Sequence, residues 1–297
     1  MKRLAYILTA MLAAAPFLVS CEQDNPDREH SIIVVNKKDR TPFDDWLDTY
    51  FVHPYNIQFK YRYQMDESTL SYTSIPADYH AAIMMAHIVK FMCIDTYDEV
   101  AGIDFTRRYF PKMFFLMGEW EYKNNGTMIL GTAESGRKIK LAGINYLPGY
   151  SRDPDQLNHY YLKTIHHEFT HILNQTKDFP VKFSQITPES YVTDSWNDTD
   201  SDYLRRGSIS KYSQHSDRED FAEMMSMYIT NSPERWEGWL NTAGDSGRSS
   251  LESKLDIVRD YMDNSFGIDL DELRSVILRR EGELASGQVD IESLDIK

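Results

Sequence analysis

The chain has 297 residues, 13% of them aromatic, with 46 acidic against 32 basic side chains and a formal net charge of −14 at pH 7. That length can bury one large core or two modest ones, and so acidic a body is repelled by nucleic acid and by anionic lipid headgroups, which argues against both as partners. With only Cys21 and Cys93 present, and Cys21 expected to be modified, the body can hold no intramolecular disulfide.

Lys2 and Arg3 precede an apolar run from Leu4 to Phe17, and Leu18-Val19-Ser20-Cys21 follows. The run is too short to span a bilayer comfortably. The pattern resembles a bacterial lipoprotein signal peptide, residues 1–20, cleaved before a lipid-carrying Cys21. Loss of Lys2 and Arg3 would make the body two charges more negative. Residues 21–41 begin with Glu22, Asp24, Pro26, Asp27 and Glu29, a composition that favours an acidic tether over a packed element. Acids directly after a lipidated cysteine also resemble the export signal of surface lipoproteins in Bacteroidota. The expectation is a cell-envelope protein, lipid-anchored at the outer membrane and exposed at the surface, held by acyl chains and not by a basic face.

Residues 42–297 form the expected body. Phe43, Trp46, Leu47, Tyr50 and Phe51 keep helical spacing. Ile57, Phe59, Tyr61 and Tyr63 alternate with polar residues, predicting a half-buried strand. A long helix is expected from about Ala77 to Tyr97, where Cys93 sits among apolar neighbours as a small buried hydrophobe. Strands are expected near Lys112–Trp120, Thr127–Ala133 and Lys138–Tyr146, with turns at Asn124-Asn125-Gly126 and Ser135-Gly136. A helix follows from Pro154 to Gln175, then an irregular stretch from Lys177 to Asp217 long enough to wall a cleft. Two amphipathic helices around Leu255–Met262 and Leu270–Ile277 complete the chain. Strands first and helices afterwards indicate an α+β fold with a small mixed sheet.

Within the Pro154–Gln175 helix, His167-Glu168-Phe169-Thr170-His171 is an H-E-x-x-H motif. One turn separates the histidines, so they share a face and can share a metal ion. Glu168 lies beside them as a base for water activated by that ion. Leu162, Ile165, Phe169 and Ile172 form an apolar stripe on the other side. His166 lies on a different bearing and is expected to be structural.

A catalytic Zn²⁺ takes three protein ligands and leaves one position open. The metzincin pattern is excluded, because Asn174 and Lys177 stand where glycine and histidine are required. Glu219-Asp220-Phe221-Ala222-Glu223 offers another source. Glu219 and Glu223 stack one turn apart, so Glu219 can reach the metal while Glu223 accepts a hydrogen bond from a ligand histidine. Asp220 is the alternative ligand, but it points about 100° away from Glu219 and breaks that stacking.

The combination of His167-Glu168-x-x-His171 with Glu219-x-x-Ala222-Glu223 resembles a gluzincin. Within that clan it is similar to the zinc-binding metallopeptidase lipoproteins of Bacteroidota, over Phe43 to the end of the chain. Tyr212 with Glu219-x-Phe221-Ala222-Glu223 is also similar to the catalytic domain of anthrax lethal factor, in the motifs alone. These resemblances imply a zincin-like fold, Zn²⁺ as cofactor, a peptide or protein substrate, and Tyr212 as donor to a developing oxyanion. Glu168 would move the proton from water to the leaving amine, Ile139–Gly143 would be the edge strand that binds an extended substrate, and His215 would at most touch substrate. The alternative is a surface lipoprotein that binds glycan or peptide and keeps a non-catalytic zinc site.

Overall fold

The computed structural model describes residues 40–64, 75–122, 128–129, 131–134, 137–198 and 202–296. Cys21, the leader, most of the tether and the two anticipated turns lie outside them. A single compact unit runs from Thr41 to Lys297. Its first helix, α1 (Pro42–Leu47), starts at a capping box in which the Thr41 side chain accepts from the Asp44 backbone and Asp44 answers to the Thr41 backbone. It continues through a π turn, Asp48–Val52, and a last turn, His53–Tyr55.

Strand β1 (Gln58–Lys60) pairs in parallel with β2 (Met113–Leu116), and β2 in parallel with β6 (Lys138–Leu141). Strand β5 (Gly131–Glu134) closes the order β1-β2-β6-β5 and runs antiparallel to β6. A separate short ribbon pairs β3 (Glu121–Tyr122) with β4 (Met128–Ile129). The sheet is small and mixed, as expected, but its edge is not where the sequence suggested. Ile139 and its neighbours lie in β6, between two partners, so Ile139–Gly143 is no edge strand. Ile139, Lys140 and Leu141 are all buried, Lys140 through an ion pair with Glu121 (Nζ to Oε2, 2.6 Å). The edge positions belong to β1 and β5, and β5 is the one that lies against the motif-bearing helix.

Between β1 and β2 the chain forms α2 (Tyr79–Ile88), a π segment Val89–Ile94, α3 (Asp95–Ala101) and α4 (Ile103–Tyr109). Gly102, at φ 81°, separates the last two. After β6, Gly143 at φ 71° turns the chain, and a Cβ there would strike the Trp120 ring. Its carbonyl accepts the Tyr161 hydroxyl at 2.7 Å, tying the end of the sheet to the next helix. That helix begins at the Asp153 cap as α5 (Pro154–Leu157), passes through a π turn, Asn158–Leu162, and continues as α6 (Lys163–Thr176).

The apolar stripe of α6 packs on the sheet side. The Phe169 ring lies 5.0 Å from Phe110 and 4.9 Å from Tyr97, and Phe110 in turn meets Phe114 of β2. Cys93 is fully buried in the same core, where burial pushes its thiol pKa up. The stretch after α6 is irregular with short 3₁₀ turns, as anticipated, until α7 (Asp217–Ile229). Ser216 caps α7, and Asp217, Glu219 and Asp220 in its first turn suit the positive end of its dipole. The long α8 (Pro233–Phe266) is interrupted at Gly244 and ends at left-handed Gly267. Helix α9 (Leu270–Ala285) starts from an Asp269 cap. Among the described residues no helix is long and apolar enough to cross a membrane.

Candidate metal centre

Helix α6 turns His167 and His171 to one side, with their Nε2 atoms 3.1 Å apart. Helix α7 packs against α6 and brings Glu219 to the same point. Its Oε2 lies 2.9 Å from His167 Nε2 and 3.2 Å from His171 Nε2. Donors around a tetrahedral zinc, bonded at 2.0–2.1 Å, stand about 3.3 Å from one another. The triangle therefore fits that ion with an expansion of a few tenths of an ångström, and two imidazoles with one carboxylate form a catalytic donor set. Among the described residues these three side chains are the group that converges in this way.

Burial pulls the His167 pKa down, but its hydrogen bonds to the Glu219 and Glu223 carboxylates outweigh it and push the imidazole up to about 9. Burial raises Glu219, and its bonds to His167 and His171 overcome this, holding the carboxyl well below the usual range.

Glu223 sits one turn further along α7 and is 1% exposed. Its Oε1 lies 2.8 Å from His167 Nδ1, which leaves Nε2 free to face the donors opposite. Lys163, one turn before His167, lies 2.9 Å from the same carboxylate. Although burial raises the Glu223 pKa, Lys163 and His167 together keep the group ionised.

A cleft of about 210 Å³ opens beside the triangle, lined by Glu168, His171, Asn174, Ser216, Arg218 and Glu219 among others. Tyr212 approaches from the preceding 3₁₀ turn, with its ring 5.9 Å from His167 and close enough to feel the charge of Glu219. Trp196 abuts the Tyr212 ring at 5.0 Å. Burial and the charges of Glu219, Glu168 and Glu223 push the phenol pKa up, so it remains a hydrogen-bond donor.

The structure thus brings together Glu168, Tyr212, His167, His171, Glu219 and Glu223. It keeps three other residues apart. His166 is fully buried, with Nδ1 3.0 Å from the Tyr97 hydroxyl, and burial holds its pKa near about 3. His215 stacks 5.7 Å from Tyr212 and lies 3.5 Å from Asp194. Asp220, the alternative ligand, faces the other way. Its Oδ2 takes the Lys254 ammonium at 2.6 Å and the Tyr191 hydroxyl at 3.0 Å, both acid and lysine being 0% exposed.

Lys163, Asn174, Arg218 and Lys254 were not anticipated. Lys163 and Asn174 continue the histidine stripe by one turn at either end, a signal open to inspection. Lys254 interrupts the apolar stripe of Leu251, Leu255 and Val258, which marks it as an inward cation needing a buried acid.

The family described as "Putative zinc-binding metallo-peptidase" matches residues 36–271. The fold is similar to the crystal structure of a putative zinc-binding metallo-peptidase from Bacteroides caccae, with a TM-score of 0.75 and 36% sequence identity over 89% of this chain and 100% of that one. No curated protein matches the chain. Converging donors, an α+β fold with a small mixed sheet and a match over most of the length lead to one conclusion: the chain belongs to the putative zinc-binding metallo-peptidase family, whose metal is zinc.

Proposed function

We propose that this protein hydrolyses peptide bonds, with His167, His171 and Glu219 holding zinc. When bound, zinc supplies Lewis acidity that lowers the pKa of water and polarises a carbonyl. Glu168 takes the proton from the attacking water and returns it to the leaving amine nitrogen. Tyr212 donates its hydroxyl to the oxyanion that develops on the carbonyl oxygen. Glu223, itself paired with Lys163, holds the His167 ring in the tautomer that presents Nε2. The main chain along the β5 edge would receive an extended peptide beside α6.

The observation that carries this reading is Glu168 lining the same cleft as His171 and Glu219. A glycan- or peptide-binding lipoprotein with a purely structural ion would have no use for a carboxylate there. Replacing Glu168 with Gln should leave zinc stoichiometry intact and lower peptide turnover by about 10²–10⁴-fold. Full activity in that variant would refute the assignment. The lipobox and acidic tether support attachment of this enzyme to the cell envelope through a lipid on Cys21. Cys21→Ser should abolish labelling by a radioactive fatty acid and release the protein from the membrane fraction.

A further inference from the structure

Asn174 follows His171 by three residues and lines the cleft next to it. It is 5% exposed, yet among the described residues neither its amide nitrogen nor its carbonyl oxygen has a hydrogen-bond partner. Burying an amide with both ends unmatched costs stability, and its place in the wall of an open cleft makes a ligand the natural partner. Arg218 lines the same cleft from the first turn of α7. It is exposed, and among the described residues it makes no ion pair or hydrogen bond. The other charges in the wall are Glu168 and Glu219, so the cleft is net negative until a divalent cation joins the triangle, when it becomes net positive. An anion is then the complementary ligand.

We propose that Asn174 and Arg218 form a subsite for a carboxylate of the peptide, supplied by an acidic side chain or by the C-terminal α-carboxylate. The inference rests on the peptidase reading of the neighbouring centre. The guanidinium presents parallel N–H donors that match two carboxylate oxygens. The Asn174 amide donates through its NH₂ and accepts through its oxygen, so it can bind a carboxylate oxygen or a main-chain N–H of the same segment. Both residues border His171 or Glu219 along the chain, which places the carboxylate close to the bond to be cut.

Zinc-loaded Glu168→Gln protein provides a test that needs no turnover. Fluorescent peptides would be compared by anisotropy in four matched forms: Glu or Gln side chains, each with a free or an amidated C-terminus. One carboxylate-bearing form should bind at least about tenfold more tightly than its neutral counterpart. Loss of preference on changing Glu to Gln identifies the side chain, and loss on amidation identifies the terminus. Adding Arg218→Ala, an exposed position where folding is not at risk, should erase the preference. Asn174→Ala should reduce it. Equal binding of all four forms, no measurable binding, or a preference that survives Arg218→Ala would overturn the proposal. The peptidase reading is judged separately, by zinc-dependent cleavage of neutral peptides by the unsubstituted protein.

Discussion

Glu219 and Asp220 are neighbours on α7, yet their carboxylates are balanced in opposite ways. Asp220 faces α8, where Lys254 balances its charge in the interior, and the same ammonium donates to the Gly207 carbonyl at 2.7 Å. Glu219 faces α6, where two imidazoles meet it in a triangle of donors sized for a cation. On one face of the helix an ammonium of the protein balances the acid, while on the other the acid is one donor of three. The difference separates a residue pair that ties α8 and the Gly207 carbonyl to α7 from a residue set arranged to hold a metal ion, although the two acids are neighbours on one helix.

The comparison can be broken most forcefully on the closed face. Lys254→Met strands Asp220 in the interior and should lower unfolding free energy by about 3–5 kcal/mol in denaturant titrations. Combining it with Asp220→Leu should recover most of that loss, because the pair is then replaced and not halved. Zinc affinity of the folded fraction should hardly change. A collapse of affinity without a loss of stability would show that the two faces are one unit.

On the open face, Glu223→Ala should weaken zinc binding by about 10–100-fold in calorimetric titrations. His167 would lose the acceptor that fixes its ring. Unchanged affinity would mean that α6 packing alone orients the histidine.

A smaller effect is expected at Glu281 of α9, where no close cation offsets burial. Desolvation, with Asp155 nearby and Arg235 only partly opposing, raises its pKa from 4.5 to about 7. The folded state therefore binds this proton more tightly than the unfolded chain. Its contribution to stability is complete below about pH 4.5 and is lost as pH rises through 7. Glu281→Gln should flatten that dependence and gain about 1–2 kcal/mol at pH 8, a figure reduced for the side chain's partial contact with solvent. Equal pH profiles for the two proteins would remove Glu281 from the account.

The metal face was legible because α6 supplies two donors and the base within five consecutive residues. Glu219 and Glu223 were legible for the same reason, since one helical turn relates them as it relates the histidines. Asp220 could be demoted by bearing alone, but its partner could not be named, because Lys254 returns to it through a separate helix. The sheet was read in outline and misread at its edge. Its position just before the active-site helix suggested Ile139–Gly143 as the edge, whereas β6 has partners on both sides and Glu121 of the β3–β4 ribbon neutralises Lys140 from a distant stretch of chain. The edge beside α6, β5, is short and begins at Gly131, so its pattern carries little information. Helix α4 escaped notice because seven residues after Gly102 are too few to establish a period.

The π turn at Asn158–Leu162 lies immediately upstream of the metal-bearing turns of α6. Such a turn accommodates one residue more than the helix around it requires. Removing a residue from this stretch can therefore be absorbed by reversion to ordinary α geometry, with Tyr161 and the histidines keeping their bearings. The same deletion between His167 and His171 has no slack to draw on and swings the rings about 100° apart. Within a single continuous helix, tolerance to length change is thus confined to the segment that precedes the two histidines.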